Sequence, residues 1–137
     1  MRLIQEDLKE SWKILVANIL LNRTRGIVVR SVLKEVFRRW PFLEDLRDAD
    51  VKELEEVLRP CGLQRRKASL IKKMLREFAM NGFSKDLPGI GRYAIESWRI
   101  FVLGERDFVP EDKQLRLYLK RVNGSDGSDN DDEDWIR

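Results

Sequence analysis

The chain has 137 residues, 37% of them charged and 42% hydrophobic, the balance of one soluble domain with a single moderate core. Cys61 is its only cysteine and histidine is absent. An intrachain disulfide, a cysteine–histidine zinc site, a single-chain iron-sulfur cluster and every histidine-dependent nucleophile are therefore excluded. The net charge of +3 is unevenly spread: residues 123–137, NGSDGSDNDDEDWIR, set six acidic residues against Arg137, so residues 1–122 carry +8, a basic body suited to a polyanion. No run approaches the ~18 apolar residues of a membrane-spanning helix. The N-terminal MRLIQEDLKES has acids where a signal peptide would be apolar, so an intracellular protein without membrane contact is expected.

Along the chain the apolar positions keep a helical period. In SWKILVANILLN, Trp12, Leu15, Val16, Ile19 and Leu20 fall at offsets of three and four, and so many neighbours are also apolar that the pattern predicts a central, buried helix capped near Ser11. A second helix is predicted from near Gly26, with Val28, Val32, Leu33, Val36 and Phe37 inward, until Pro41 ends it. Asp50 caps a third with a Leu54/Val57/Leu58 stripe and a Pro60/Gly62 stop. A fourth runs from about Gln64 to Met80, another covers 91–103, and a last one begins beside Pro110. No stretch alternates with period two, so the fold class is all-α: six or seven short helices in one domain over 1–122, followed by a disordered acidic tail over 123–137.

The stretch LPGIG, Leu87 to Gly91, places Pro88, Gly89 and Gly91 immediately before a predicted helix. With both glycines free to take positive φ, the segment can form a tight hairpin whose amides face outward at a positive helix end, a site for one phosphate. Such a site reads nucleic-acid backbone and not base sequence; an ordinary interhelical turn is the alternative. Asp112 lies 21 residues beyond Gly91. By itself it is an acid in the first turn of a helix, where the macrodipole favours negative charge, and Glu111 and Asp107 are placed almost as well.

Hairpin and aspartate together resemble the helix-hairpin-helix superfamily of DNA glycosylases. WKILVANILLNRT, LRPCGLQRRKASLI, LPGIGRYAIESWRIF and VPEDKQLRLYL are similar in order and spacing to the glycosylase domains of methyl-CpG-binding thymine glycosylases, over roughly residues 3–121, without a methyl-CpG-binding domain. The resemblance implies a compact helix-hairpin-helix glycosylase fold without an iron-sulfur cluster, and an enzyme of base excision repair that flips out thymine or uracil mispaired with guanine. It makes Asp112 the catalytic carboxylate, stabilising an oxocarbenium-like sugar and orienting or deprotonating water. Tyr93 stands where strand-cutting relatives carry a Schiff-base lysine, which implies a monofunctional enzyme, and it would line the base pocket with Gln5.

Arg23 and Leu63 match the residues that enter the duplex, one filling the gap and one wedging beside the guanine. Leu87, Gly89, Gly91 and Arg92 form the phosphate-binding hairpin, and Arg65, Arg66 and Lys67 would reach phosphates beside the wedge. The implied partner is double-stranded DNA bearing G·T or G·U mismatches, bound by a monomer. No catalytic metal or cofactor is implied beyond a monovalent cation at the hairpin carbonyls. Two other readings stay open: a non-catalytic helix-hairpin-helix DNA-binding module, and a glycosylase for another damaged base.

Overall fold

The computed structural model describes residues 2–124, so the tail expected over 123–137 falls, past Gly124, outside the described residues. Seven α-helices follow in order: α1 (Ser11–Leu21), α2 (Gly26–Arg39), α3 (Leu43–Arg47), α4 (Val51–Leu58), α5 (Gln64–Asn81), α6 (Arg92–Phe101) and α7 (Lys113–Val122). Two 3-10 helices, Ile4–Asp7 and Arg59–Cys61, complete the secondary structure, and no strand occurs among the described residues.

α1 is the axis. Nine of its eleven residues are buried, because it packs against α2, α5 and α6 at once and presents apolar side chains on nearly every side. Leu15 and Leu20 are fully enclosed, as are Val29, Leu54, Leu58, Ile71 and Leu75 from the surrounding helices, each contributing about 1.5–3 kcal/mol of burial. A smaller cluster joins Leu3, Ile100, Leu115, Leu117 and Leu119. Tyr93 packs against both clusters, so the start of α6 lies on the seam between them.

The helix starts refine the predicted ones. Asp50 caps α4, its carboxylate accepting from Glu53 N at 2.9 Å. α1 begins one residue earlier than a Ser11 cap would give: Glu10 is the cap, with its side chain held by Trp12 Nε1 at 3.1 Å and Lys13 Nζ at 3.0 Å. α7 begins at Lys113 and not beside Pro110, because Asp112 caps it and accepts from Leu115 N at 2.9 Å. α3 and the Ile4–Asp7 turn were not predicted. Both are too short to show a period, and both close with an acid three residues in, Asp45 on Phe42 N and Glu6 on Leu3 N.

Candidate functional site

The hairpin closes with Ile90 N donating to Leu87 O at 3.1 Å. Gly89 sits at φ +78, and a Cβ there would meet the Ile19 side chain at 3.0 Å; conformation and space both demand glycine, and the turn is pinned onto α1. Gly91 departs from the expected positive φ. It is extended at φ −116 and caps α6 without a side-chain hydrogen bond of its own. Arg92 forms an ion pair with Glu111 across the surface. A cation at the hairpin would share the Leu87 carbonyl with the Ile90 amide, using its second lone pair.

A cleft of about 490 Å³ opens between the hairpin, the C-terminus of α1 and the start of α5, with Tyr93, Asn18, Arg23 and Leu63 in its lining. The Tyr93 hydroxyl accepts from Gln5 Nε2 at 2.7 Å. Gln5 is 2% exposed and does not line the cleft; its amide also reaches Asn18 Oδ1 at 3.1 Å and Ser97 Oγ at 3.4 Å. Gln5 therefore acts on this cleft through Tyr93 and Asn18. Asn18 Nδ2 is buried with no protein partner, a donor whose desolvation is uncompensated until something accepts from it.

Asp112 lines a second cleft, about 440 Å³, with Lys113, Gln114, Thr24 and Arg25. Leu21 and Arg23 belong to the walls of both, so the two clefts adjoin at Arg23. The loop ahead of Asp112 is braced from two helices: both carboxylate oxygens of buried Glu96 accept from Glu111 N at 3.1 Å, and Arg116 Nη1 donates to Pro110 O at 3.0 Å and Glu111 O at 2.5 Å. Neither Glu111 nor Asp107 lines either cleft.

Arg23 (φ 60) and Leu63 (φ 51) are the non-glycine residues with positive φ among those described. Both are exposed, Leu63 by 49%, a costly state for an apolar side chain in a strained pose. Arg65 and Arg66 are exposed at the first turn of α5. Lys67 contradicts the expectation of a phosphate contact: it is 2% exposed, and its ammonium donates to Leu20 O at 3.1 Å, Thr24 Oγ1 at 2.7 Å and Cys61 O at 3.1 Å. Burial lowers its pKa. Asn18, Thr24, Glu96 and Ser97 were not anticipated. The signal for Asn18 was present, a lone amide inside the apolar run of α1.

Compared with known proteins, residues 16–134 match the HhH-GPD superfamily of base excision DNA repair proteins. A methyl-CpG-binding domain protein 4-like protein of Arabidopsis thaliana is 31% identical over 85% of the chain, which covers 27% of that protein. A thymine/uracil-DNA glycosylase of Pyrobaculum aerophilum is 31% identical over 84% of the chain, which spans just over half, 54%, of that relative. Among solved structures, a thermostable thymine-DNA glycosylase superposes with a TM-score of 0.73 at 20% identity, over 88% of this chain and 59% of that one. A trapped endonuclease III–DNA covalent intermediate superposes with a TM-score of 0.69 at 24% identity, over 85% and 56%.

Proposed function

Since the chain belongs to the HhH-GPD superfamily of base excision DNA repair proteins, we propose that it is a monofunctional DNA glycosylase that extrudes and hydrolyses thymine or uracil mispaired with guanine. The observation that carries this reading is the pair of adjoining clefts, hairpin and Tyr93 in one and Asp112 in the other, with Arg23 in the wall of both.

The hairpin amides and α6 N-terminus hold one phosphate and set the register of the duplex. A monovalent cation shared by the hairpin carbonyls would add charge at the same phosphate. Leu63 wedges beside the guanine and Arg23 fills the space the base leaves, an exchange that costs a few kcal/mol of unstacking and is cheapest at a mismatch. The extruded pyrimidine stacks on Tyr93, whose hydroxyl Gln5 holds, and one of its carbonyls accepts from Asn18 Nδ2. As the bond between C1′ and N1 breaks, its electrons leave with the base and the sugar becomes cationic, facing the Asp112 carboxylate. Water adds to C1′ and gives up a proton to that carboxylate, which returns it to solvent, while the base, released as its N1 anion, takes up a proton from solvent; free base and an intact strand with an abasic sugar remain. Tyr93 stands where the strand-cutting pattern places lysine, and a phenol forms no Schiff base with the sugar.

The test is incubation of labelled duplexes carrying G·T, G·U, oxidised guanine or normal pairs, with strands resolved with and without alkali. Cleavage of the G·T and G·U duplexes only after alkali is expected. Cleavage without alkali refutes the monofunctional assignment, and release of oxidised guanine in preference refutes the pyrimidine one.

One observation favours a purely DNA-binding module: the bond from Leu115 N to Asp112 accounts for the aspartate without chemistry. Asp112→Asn separates the readings, because asparagine caps helices as well as aspartate. The variant should fold and bind mismatched DNA while base release falls by about 10²-fold or more. Release at the wild-type rate would reduce Asp112 to a cap.

A further inference from the structure

Arg23 and Leu63 both hold left-handed backbone, a conformation costing about 1–2 kcal/mol per non-glycine residue. Strain of this kind persists only where the surroundings over-determine it. Lys67 is what the two turns share. Leu20, whose carbonyl it takes, is three residues before Arg23; Thr24, whose hydroxyl it takes, directly follows Arg23; Cys61, whose carbonyl it takes, is two residues before Leu63. Lys67 N also donates to Leu63 O at 2.8 Å, and Thr24 Oγ1 closes the arrangement on Cys61 O at 2.7 Å. An ammonium has three protons, and all three are used.

Two features separate this lysine from ordinary filling of a core. Its three partners are neutral, so a buried positive charge is kept without a carboxylate, an arrangement that an apolar side chain of similar volume would ordinarily improve. It also supplies what α1 lacks: the last turn of α1 has no basic residue of its own, and a cation on its terminal carbonyls complements the helix dipole. The cost of burying the charge is thus retained at the one point where the gap-filling and wedging turns meet.

We infer that Lys67 is a positioning residue, a buried clamp that joins the C-terminus of α1 to the turn before α5 and sets Arg23 and Leu63 in their poses before DNA arrives. The inference rests on the reading of Arg23 and Leu63 as the residues that enter the duplex. With the clamp intact, extrusion does not have to order two strained turns at the moment of binding.

The experiment measures single-turnover base release and extrusion, the latter by 2-aminopurine fluorescence next to a G·U mismatch, for the full chain and for Lys67→Met, Leu63→Ala and the double variant. Lys67→Met should bind matched duplex within about threefold of wild type, since it removes no phosphate contact, yet lose about 10- to 100-fold in extrusion and release. In the Leu63→Ala background the same substitution should cost clearly less, because only Arg23 is left to position; a clamp predicts this coupling and a general loss of packing does not. Thr24→Val, which removes one strut from a half-buried site, should show a smaller loss with the same dependence on Leu63, and serves if Lys67→Met does not fold. Wild-type extrusion in both clamp variants, or equal losses with and without Leu63, overturns the clamp while leaving the wedge assignment intact. Normal extrusion by Leu63→Ala and Arg23→Ala overturns the wedge assignment itself, and the clamp with it.

Discussion

Leu63 shows how a single residue can carry a backbone cost at the surface, which the proposed wedging into DNA would account for. It is apolar, 49% exposed and at φ 51, and it is the left-handed backbone that carries the cost, since a non-glycine residue ordinarily avoids that region. Replacing it with glycine relieves about 1 kcal/mol of left-handed strain. The change also loosens the unfolded chain, which offsets about 0.5–1 kcal/mol of that gain. Leu63→Gly should therefore leave the melting temperature nearly unmoved while base release from G·T duplexes falls about tenfold or more, each ~1.4 kcal/mol of lost wedging costing a factor of ten. Thermal unfolding and single-turnover release on one preparation check both halves. Unchanged release would mean that the side chain never enters the duplex.

At the scale of elements, the Ile4–Asp7 turn matters more than its four residues suggest, because it carries Gln5 to Tyr93. It is fastened by Arg30 on Asp7 at 2.6 Å, by Arg2 on Asp7 at 3.0 Å and by Arg121 on Glu6 at 3.0 Å. The hydrogen bond from Arg30 is the main cause that holds the Asp7 carboxyl below its ordinary 3.8. A lowered carboxyl pKa contributes stability that is present above the unfolded value and lost as pH falls through the folded one. Asp7→Asn should thus be less stable than wild type at neutral pH, by under about 1 kcal/mol for so exposed a pair. The gap should close as the pH drops below about 4. Denaturant midpoints of the two proteins across that range test this, and a gap that persists in acid would rule out the Asp7 charge as its source.

The same scale explains what could be read beforehand. Leu54/Leu58 and Ile71/Met74/Leu75 follow the helical period because one face of each helix meets the core. The turn carrying Gln5 has no period, and its position depends on arginines at residues 30 and 121, which only the folded chain brings near. Lys67 was misread because three adjacent basic residues look alike in composition. Helix phase separates them: Lys67 lies four residues before Ile71 and seven before Met74, on the buried stripe, while Arg65 and Arg66 fall on the outer face. Asp112 was legible as an acid at a helix start but not as the cap of α7, and nothing in its neighbours told that Glu96 and Arg116 would brace the loop before it.

For the molecule as a whole, the +8 carried by residues 1–122 would make the proposed duplex binding a matter of released counterions, with the exposed cations expected to count. Arg65 and Arg66 are exposed just after Leu63, and Lys67 is enclosed. Each phosphate contact contributes about 0.9 to the slope of log affinity against log salt concentration on B-form DNA. Converting both arginines to glutamine should lower that slope by nearly twice that amount and weaken matched and mismatched duplexes alike, because backbone contacts carry no information about the base. Lys67→Met, which removes the same formal charge per residue, should leave the slope unchanged and act only on the mismatch-dependent step. Fluorescence anisotropy of a labelled duplex from about 50 to 200 mM salt distinguishes them. A slope that falls equally for Lys67→Met would place that ammonium at the DNA and not inside the protein.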